Sequence, residues 1–358
     1  MATGVVGAAH AQSSVTLYGT IDAGITYVSN ENGHPNVKTD NGILHGNRFG
    51  LRGTEDLGGG YATIFDLEGG YNLSTGKSNQ GGALFGRQSW VGLKGPYGTV
   101  QIGNQYDLIA DTSCNFNVSF YASGYGIHQG DFDRMSCTRE SNAVKYTTPT
   151  FHGLTAGAMY SFSNTAGQFH DGSSWSAGGM YNQGPISAAI AYSFQSKPSI
   201  DPYNRIGTRV FFGQTVARVT NGSATDLATA VTMNSIAALD LGASYTMGNL
   251  VVMGDFTDTT LKYLGASSVM HVYEIGALYN LTSKLKLGGG YQHTGFQSHT
   301  WNEGSAGLLY SLSKRTQVYV SGDYVEASAG VDPVIGWGFT PSLSNKQADV
   351  RVGLYTKF

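Results

Sequence analysis

Charge is scarce in this chain. Asp, Glu, Lys and Arg together make up 13% of its 358 residues, where a soluble domain usually carries about a quarter. A surface that faces hydrocarbon needs no charge, so the deficit counts against a soluble lectin-like module, whose outward faces would be polar. Long apolar runs are missing as well: no uninterrupted stretch approaches the roughly 18 residues a spanning helix requires, which excludes a helical membrane protein. The net charge is -3 and no basic stripe stands out, so a nucleic-acid partner is not expected. No G-x-S-x-G, H-E-x-x-H or P-loop pattern occurs, which weighs against an enzyme. The nine His are scattered; His293 and His299 read as residues flanking a surface loop, and neither a metal nor a cofactor is expected.

What the chain has instead is 51 Gly, 22 Tyr and 16 Phe against 8 Pro, a composition suited to strands joined by tight turns. Apolar residues occupy every second position for roughly ten residues and then give way to Gly, Asn, Ser or Thr, the signature of lipid-facing strands around a wet interior. Val15, Leu17, Ile21, Ala23, Ile25 and Tyr27 share one parity; Thr16, Thr20, Asp22 and Thr26 share the other. A period of two cannot belong to a helix. The same rule sets Arg48 and Arg52 opposite Phe49 and Leu51, Asp66 and Glu68 opposite Phe65 and Leu67, Arg87 opposite Trp90, and Arg139 and Lys145 opposite Val144 and Tyr146. Asp66 and Glu68 read as ordinary lumen polarity.

Short turns near Gly95-Pro96, Gly184-Pro185, Gly248-Asn249, Thr282-Ser283 and Ser313-Lys314 alternate with longer connections. The longer ones are expected near residues 30–40, 73–82, 107–138, 164–173, 197–234, 261–268, 295–300 and 327–344. About sixteen strands lie between them, an even number that returns both ends to one side of a membrane. A barrel of that size leaves an aqueous channel. The fold expected is therefore all-β: an antiparallel transmembrane barrel over residues 12–358. Residues 209–219 also alternate and could add a hairpin within the 197–234 connection.

Residues 107–138 break the rhythm, holding both cysteines, several acids and no sustained alternation. This stretch reads as a loop folded inside the barrel, where it could narrow the pore. Residues 1–11, ending in Ala9-His10-Ala11, fit a residual signal peptide with its small-residue cleavage site, an ordinary disordered N-terminus being the other reading. Export to an oxidising compartment makes Cys114 and Cys137 candidates for one disulfide, with unpaired buried thiols as the alternative.

Four blocks carry a family resemblance: Val15-Thr16-Leu17-Tyr18-Gly19, the run from Asn47-Arg48-Phe49-Gly50 through Glu55-Asp56-Leu57-Gly58, Val91-Gly92-Leu93-Lys94-Gly95, and the terminal Phe358. In this order and spacing the chain resembles the trimeric general-diffusion porins of Gram-negative outer membranes, over nearly its whole mature length. The resemblance implies a third extracellular loop folded into the lumen and a facing ladder of arginines, which by position falls on Arg48, Arg87 and Arg139. It also implies a C-terminal Phe358 read by the barrel-assembly machinery, and a homotrimer set in outer-membrane lipid and lipopolysaccharide. The Pro-Glu-Phe motif of the enterobacterial branch is absent, and Asp107, Asp111, Asp131 and Asp133 all remain candidates for the acids facing the arginines. The function implied is passive diffusion of ions and small hydrophilic solutes, with anions favoured if the arginines outnumber nearby carboxylates. A channel selective for one small organic anion is the alternative.

Overall fold

A computed structural model describes residues 13–336 and 338–358; the expected signal segment, residues 1–11, lies outside them. Sixteen strands form the wall. In the first half these are β1 (Ser14–Glu31), β2 (Arg48–Gly58), β3 (Tyr61–Gly70), β4 (Gln88–Gly95), β5 (Gly98–Tyr106), β6 (Arg139–Thr147), β7 (Leu154–Ser161) and β8 (Ser174–Gln183). The second half comprises β9 (Ile186–Ser196), β10 (Ser235–Met247), β11 (Leu250–Tyr263), β12 (Ala266–Asn280), β13 (Leu285–Phe296), β14 (His299–Ser311), β15 (Thr316–Ala327) and β16 (Lys346–Lys357). Each pairs antiparallel with its sequence neighbour, and β1 closes the ring on β16 from Thr20↔Lys357 to Val28↔Asp349. Among the described residues, closure gives each of the sixteen wall strands a partner on both sides, as hydrocarbon does not tolerate a free edge.

The alternation read from the sequence decides which way each strand faces. Val15, Leu17, Ile25 and Tyr27 are exposed on the outer surface while Asp22 and Thr26 are fully buried inside, and Val320 and Tyr324 likewise stand outside with Ser321 and Asp323 within. The inverted pattern, apolar out and polar in, is that of a barrel in lipid.

Three connections differ from expectation. Residues 261–268 and 295–300 are two-residue hairpins, because β11 and β12 continue to Leu264-Gly265 and β13 and β14 to Gln297-Ser298, all four turn residues having positive φ. Both turns are of the kind whose twist matches that of the strands. Residues 30–40 are mostly strand: a short strand, His34–Asn41, pairs with the upper part of β1 from Ala23 to Glu31, while the lower part of β1 pairs with β2. The 197–234 connection contains the hairpin suggested by residues 209–219, together with a second one, Ala217–Thr220 against Ser223–Asp226; neither joins the wall.

Residues 107–138 lie inside the barrel as a loop containing two short helices, α1 (Leu108–Asp111) and α2 (Val118–Ser123). Ile109, Val118, Tyr125 and Met135 are completely buried. Cys114 and Cys137 form the disulfide, with Cα atoms 5.7 Å apart. The wall receives the loop through glycines. A Cβ at Gly276 would stand 2.5 Å from Val118 Cγ1, one at Gly242 would strike the Phe116 ring, and one at Gly307 would strike the Ala122 carbonyl oxygen. Only a residue with no side chain lets the loop approach the wall backbone this closely.

Candidate functional site

Strands β2, β4 and β6 all run in the same direction, since each is two strands from the next in an antiparallel wall. Arg48 opens β2, Arg87 immediately precedes β4 and Arg139 opens β6, so strand direction alone sets the three at matching ends of alternate strands. The two intervening strands run the other way and finish there, placing Glu68 of β3 and Tyr106 of β5 between them. A continuous row results. Arg48 lies 4.0 Å from Glu68 Oε2, Arg87 Nε is 2.6 Å from Glu68 Oε1, and the Tyr106 hydroxyl accepts from Arg87 at 3.2 Å and from Arg139 at 2.6 Å. The Arg139 guanidinium also sits 4.4 Å from the centre of the Tyr106 ring, a cation–π contact.

Arg48 is steadied by Thr20 Oγ1, which accepts from its Nε at 3.2 Å. The short segment between His34–Asn41 and β2 is folded into the lumen by Asp22, whose Oδ2 accepts from the Leu44 and His45 amides at 2.8 and 3.1 Å. The three arginines then share one cavity of about 560 Å³ with this segment and with Phe120, Tyr121 and Thr138 of the loop.

The four loop acids are bonded elsewhere. Asp107 caps α1 by accepting from the Ala110 amide at 2.8 Å and holds Arg134 of its own loop. Asp111 pairs with Lys145 at 2.6 Å. Asp131 accepts from the Ser136 amide and hydroxyl at 2.8 and 2.6 Å, and burial pushes its carboxyl up to about 6, with the Asp133 carboxylate adding to the shift. Asp133 lies 2.6 Å from His128 Nδ1 and accepts from Thr257 at 2.8 Å. Among the described residues, Glu68 is the one carboxylate within 4.0 Å of any of the three arginines. Glu68 thus has a more particular position than the general lumen polarity read from its strand parity. Asp66, two residues before it on the same strand, pairs with Arg52 at 2.7 Å, and the Tyr18 hydroxyl lies 2.7 Å from Asp66 Oδ1 and 3.0 Å from Glu68 Oε2.

At the far end of the chain, Phe358 completes the closing seam: its amide donates to the Gly19 carbonyl at 3.1 Å and its carbonyl accepts from the Gly19 amide at 3.2 Å. Its side chain is exposed.

A closed antiparallel barrel, lipid-facing outside, polar within and narrowed by an inserted loop, is a channel for hydrophilic solutes. Residues 1–330 match the model of the Gram-negative porin family. An outer membrane porin of Bordetella pertussis is 30% identical over 90% of this chain and 91% of that protein, and outer membrane porin protein 32 of Delftia acidovorans is 30% identical over 87% and 84%. The solved anion-selective porin from Comamonas acidovorans superposes with a TM-score of 0.77 at 26% identity, covering 97% of this chain and all of that one. The chain belongs to the Gram-negative porin family, and it is an integral β-barrel of the outer membrane that lets solutes diffuse passively.

Proposed function

We propose that the row from Arg48 to Arg139 is the selectivity filter of this pore and that it favours anions. The observation that carries this is a charge imbalance: three guanidinium groups border one cavity with Glu68 as their single carboxylate partner, while the loop acids are engaged by Arg134, Lys145, Ser136 and His128. In a narrow water column between low-dielectric walls such a surplus raises the local concentration of anions and repels cations. The anion-selective porin from Comamonas acidovorans, a relative over nearly the whole chain, supports the same sign. In this reading the solutes are inorganic and small organic anions together with neutral hydrophilic molecules, and none is chemically changed.

The protein would work as a homotrimer in outer-membrane lipid and lipopolysaccharide, delivered by the barrel-assembly machinery through Phe358. A channel specialised for a particular small organic anion is a second reading, favoured by Phe120 and Tyr121 lining the arginine cavity. Planar-bilayer recording in a KCl gradient tests the main reading: the zero-current potential should fall on the chloride side, and one on the potassium side would refute it. Conductance that saturates with one organic anion and is competed by it would favour the second.

A further inference from the structure

On the side of the loop turned away from the arginines, the His128 ring is fully buried among acids. Its Nδ1 lies 2.6 Å from Asp133 Oδ2, and its Nε2 lies 3.3 Å from Asp255 Oδ1 and 3.4 Å from Glu274 Oε2. Asp133 and Asp255 come from different elements, the loop and β11, while Glu274 comes from β12 and also accepts from the loop amide of Ser119 at 2.7 Å. Neither carboxylate oxygen of Asp255 has a hydrogen-bond partner, and the same holds for Asp240, whose side chain is completely buried. No Lys or Arg among the described residues stands within 4.0 Å of Asp240, Asp255 or Glu274. Buried carboxylates with no partner are costly, and the cost is relieved by a cation or a proton.

The geometry distinguishes between these. A neutral ring that gives its Nδ1–H to Asp133 turns the Nε2 lone pair toward two carboxylates. A single proton on Nε2 can be given to only one of them, whereas a divalent ion serves both and offsets Asp240 as well. The 3.3 and 3.4 Å separations also match the distance of about 3.3 Å between ligand atoms of a four-coordinate ion with bonds of about 2.0–2.1 Å. An imidazole whose other nitrogen is bonded to a carboxylate is the usual arrangement at a metal-bound histidine. One nitrogen with oxygen donors suits a transition-metal ion better than Ca²⁺ or Mg²⁺, which take oxygen ligands in larger number.

We propose that His128 Nε2, Asp255 and Glu274 bind one divalent transition-metal ion, of the Zn²⁺ or Co²⁺ kind, that clasps the inserted loop to β11 and β12. A cavity of about 80 Å³ borders His128 and Asp131 on the side of Asn204, Arg205 and Phe339. This site is separate from the arginine row, and neither reading depends on the other.

The test uses the folded full-length porin in detergent, stripped with EDTA, loaded with Zn²⁺, desalted and assayed for metal by mass spectrometry. The wild type should retain about one zinc per chain, and His128→Gln and Asp255→Asn should each lower retention by at least about tenfold. A wild type that retains no zinc, or variants that retain as much as the wild type, would overturn the proposal. Should either variant fail to fold, Co²⁺ loaded into the wild type gives the answer: strong visible absorption of a four-coordinate site supports the proposal, and a weak six-coordinate spectrum or none refutes it.

Discussion

Glu68 Oε1 lies 2.6 Å from Arg87 Nε and Glu68 Oε2 lies 4.0 Å from Arg48, so in the proposed filter one carboxylate sets how much positive charge is left for the solute. Glu68→Gln removes that charge and keeps an oxygen that can still accept from Arg87. At about 4 Å in water a unit charge is worth about 1 kcal/mol, with opposite sign for chloride and potassium, so the ratio of chloride to potassium permeability should rise on the order of thirtyfold. Zero-current potentials in a salt gradient measure it, and an unchanged ratio would mean that Glu68 lies outside the field a permeating ion meets.

Gly307 faces the Ala122 carbonyl oxygen so closely that a methyl group cannot be inserted. Gly307→Ala should therefore push α2 toward the arginine cavity, at a cost of about 1–3 kcal/mol typical of overpacking. Single-channel conductance should fall, and the folded form should convert to the unfolded one at a lower temperature on a heat-modifiability gel. Wild-type values of both would show that the loop is not seated on the wall as described.

Cys114 and Cys137 close a loop with a sequence separation of 23, worth roughly 3 kcal/mol on the chain-entropy model. Replacing both with Ser should lower the temperature of heat modification while leaving the barrel folded, since Ile109, Val118 and Met135 still bury the loop. Reductant should produce the same change in the wild type and none in the variant. A transition that is identical in all these samples would count against a stabilising role for the bond.

Removing Phe358 deletes both backbone hydrogen bonds to Gly19 at the seam along with the exposed terminal ring. The fraction of chains reaching the outer membrane as folded, heat-modifiable protein should drop several-fold. To separate the two effects, Phe358→Ala keeps the backbone bonds. If it assembles as well as the wild type, the ring is not the assembly signal.

How far the sequence could be read follows from what each feature depends on. Strand phase is local, so the side of the wall taken by Arg48, Arg87 and Arg139 follows from parity with Phe49, Trp90 and Tyr146, and alternate strands then bring the three together. The turns at Leu264-Gly265 and Gln297-Ser298 were hidden because polar residues near the strand ends, such as Lys262 and His299, resemble loop, although they continue the ladder. The partners of the loop acids depend on how the loop lies in the lumen, which its sequence does not set locally: Asp111 meets Lys145 and Asp133 meets Thr257. His128 had no visible signal at all, because Glu274 stands 146 residues away along the chain.

The most direct test of the pore's selectivity replaces Arg48, Arg87 and Arg139 together with Gln and compares zero-current potentials with the wild type in the same KCl gradient. The wild-type potential should lie on the chloride side, moving toward zero as salt is raised and the guanidinium charges are screened. In the triple variant, with Glu68 left unopposed, it should pass to zero or to the potassium side. A folded triple variant that kept the wild-type potential would place the source of selectivity away from these three arginines.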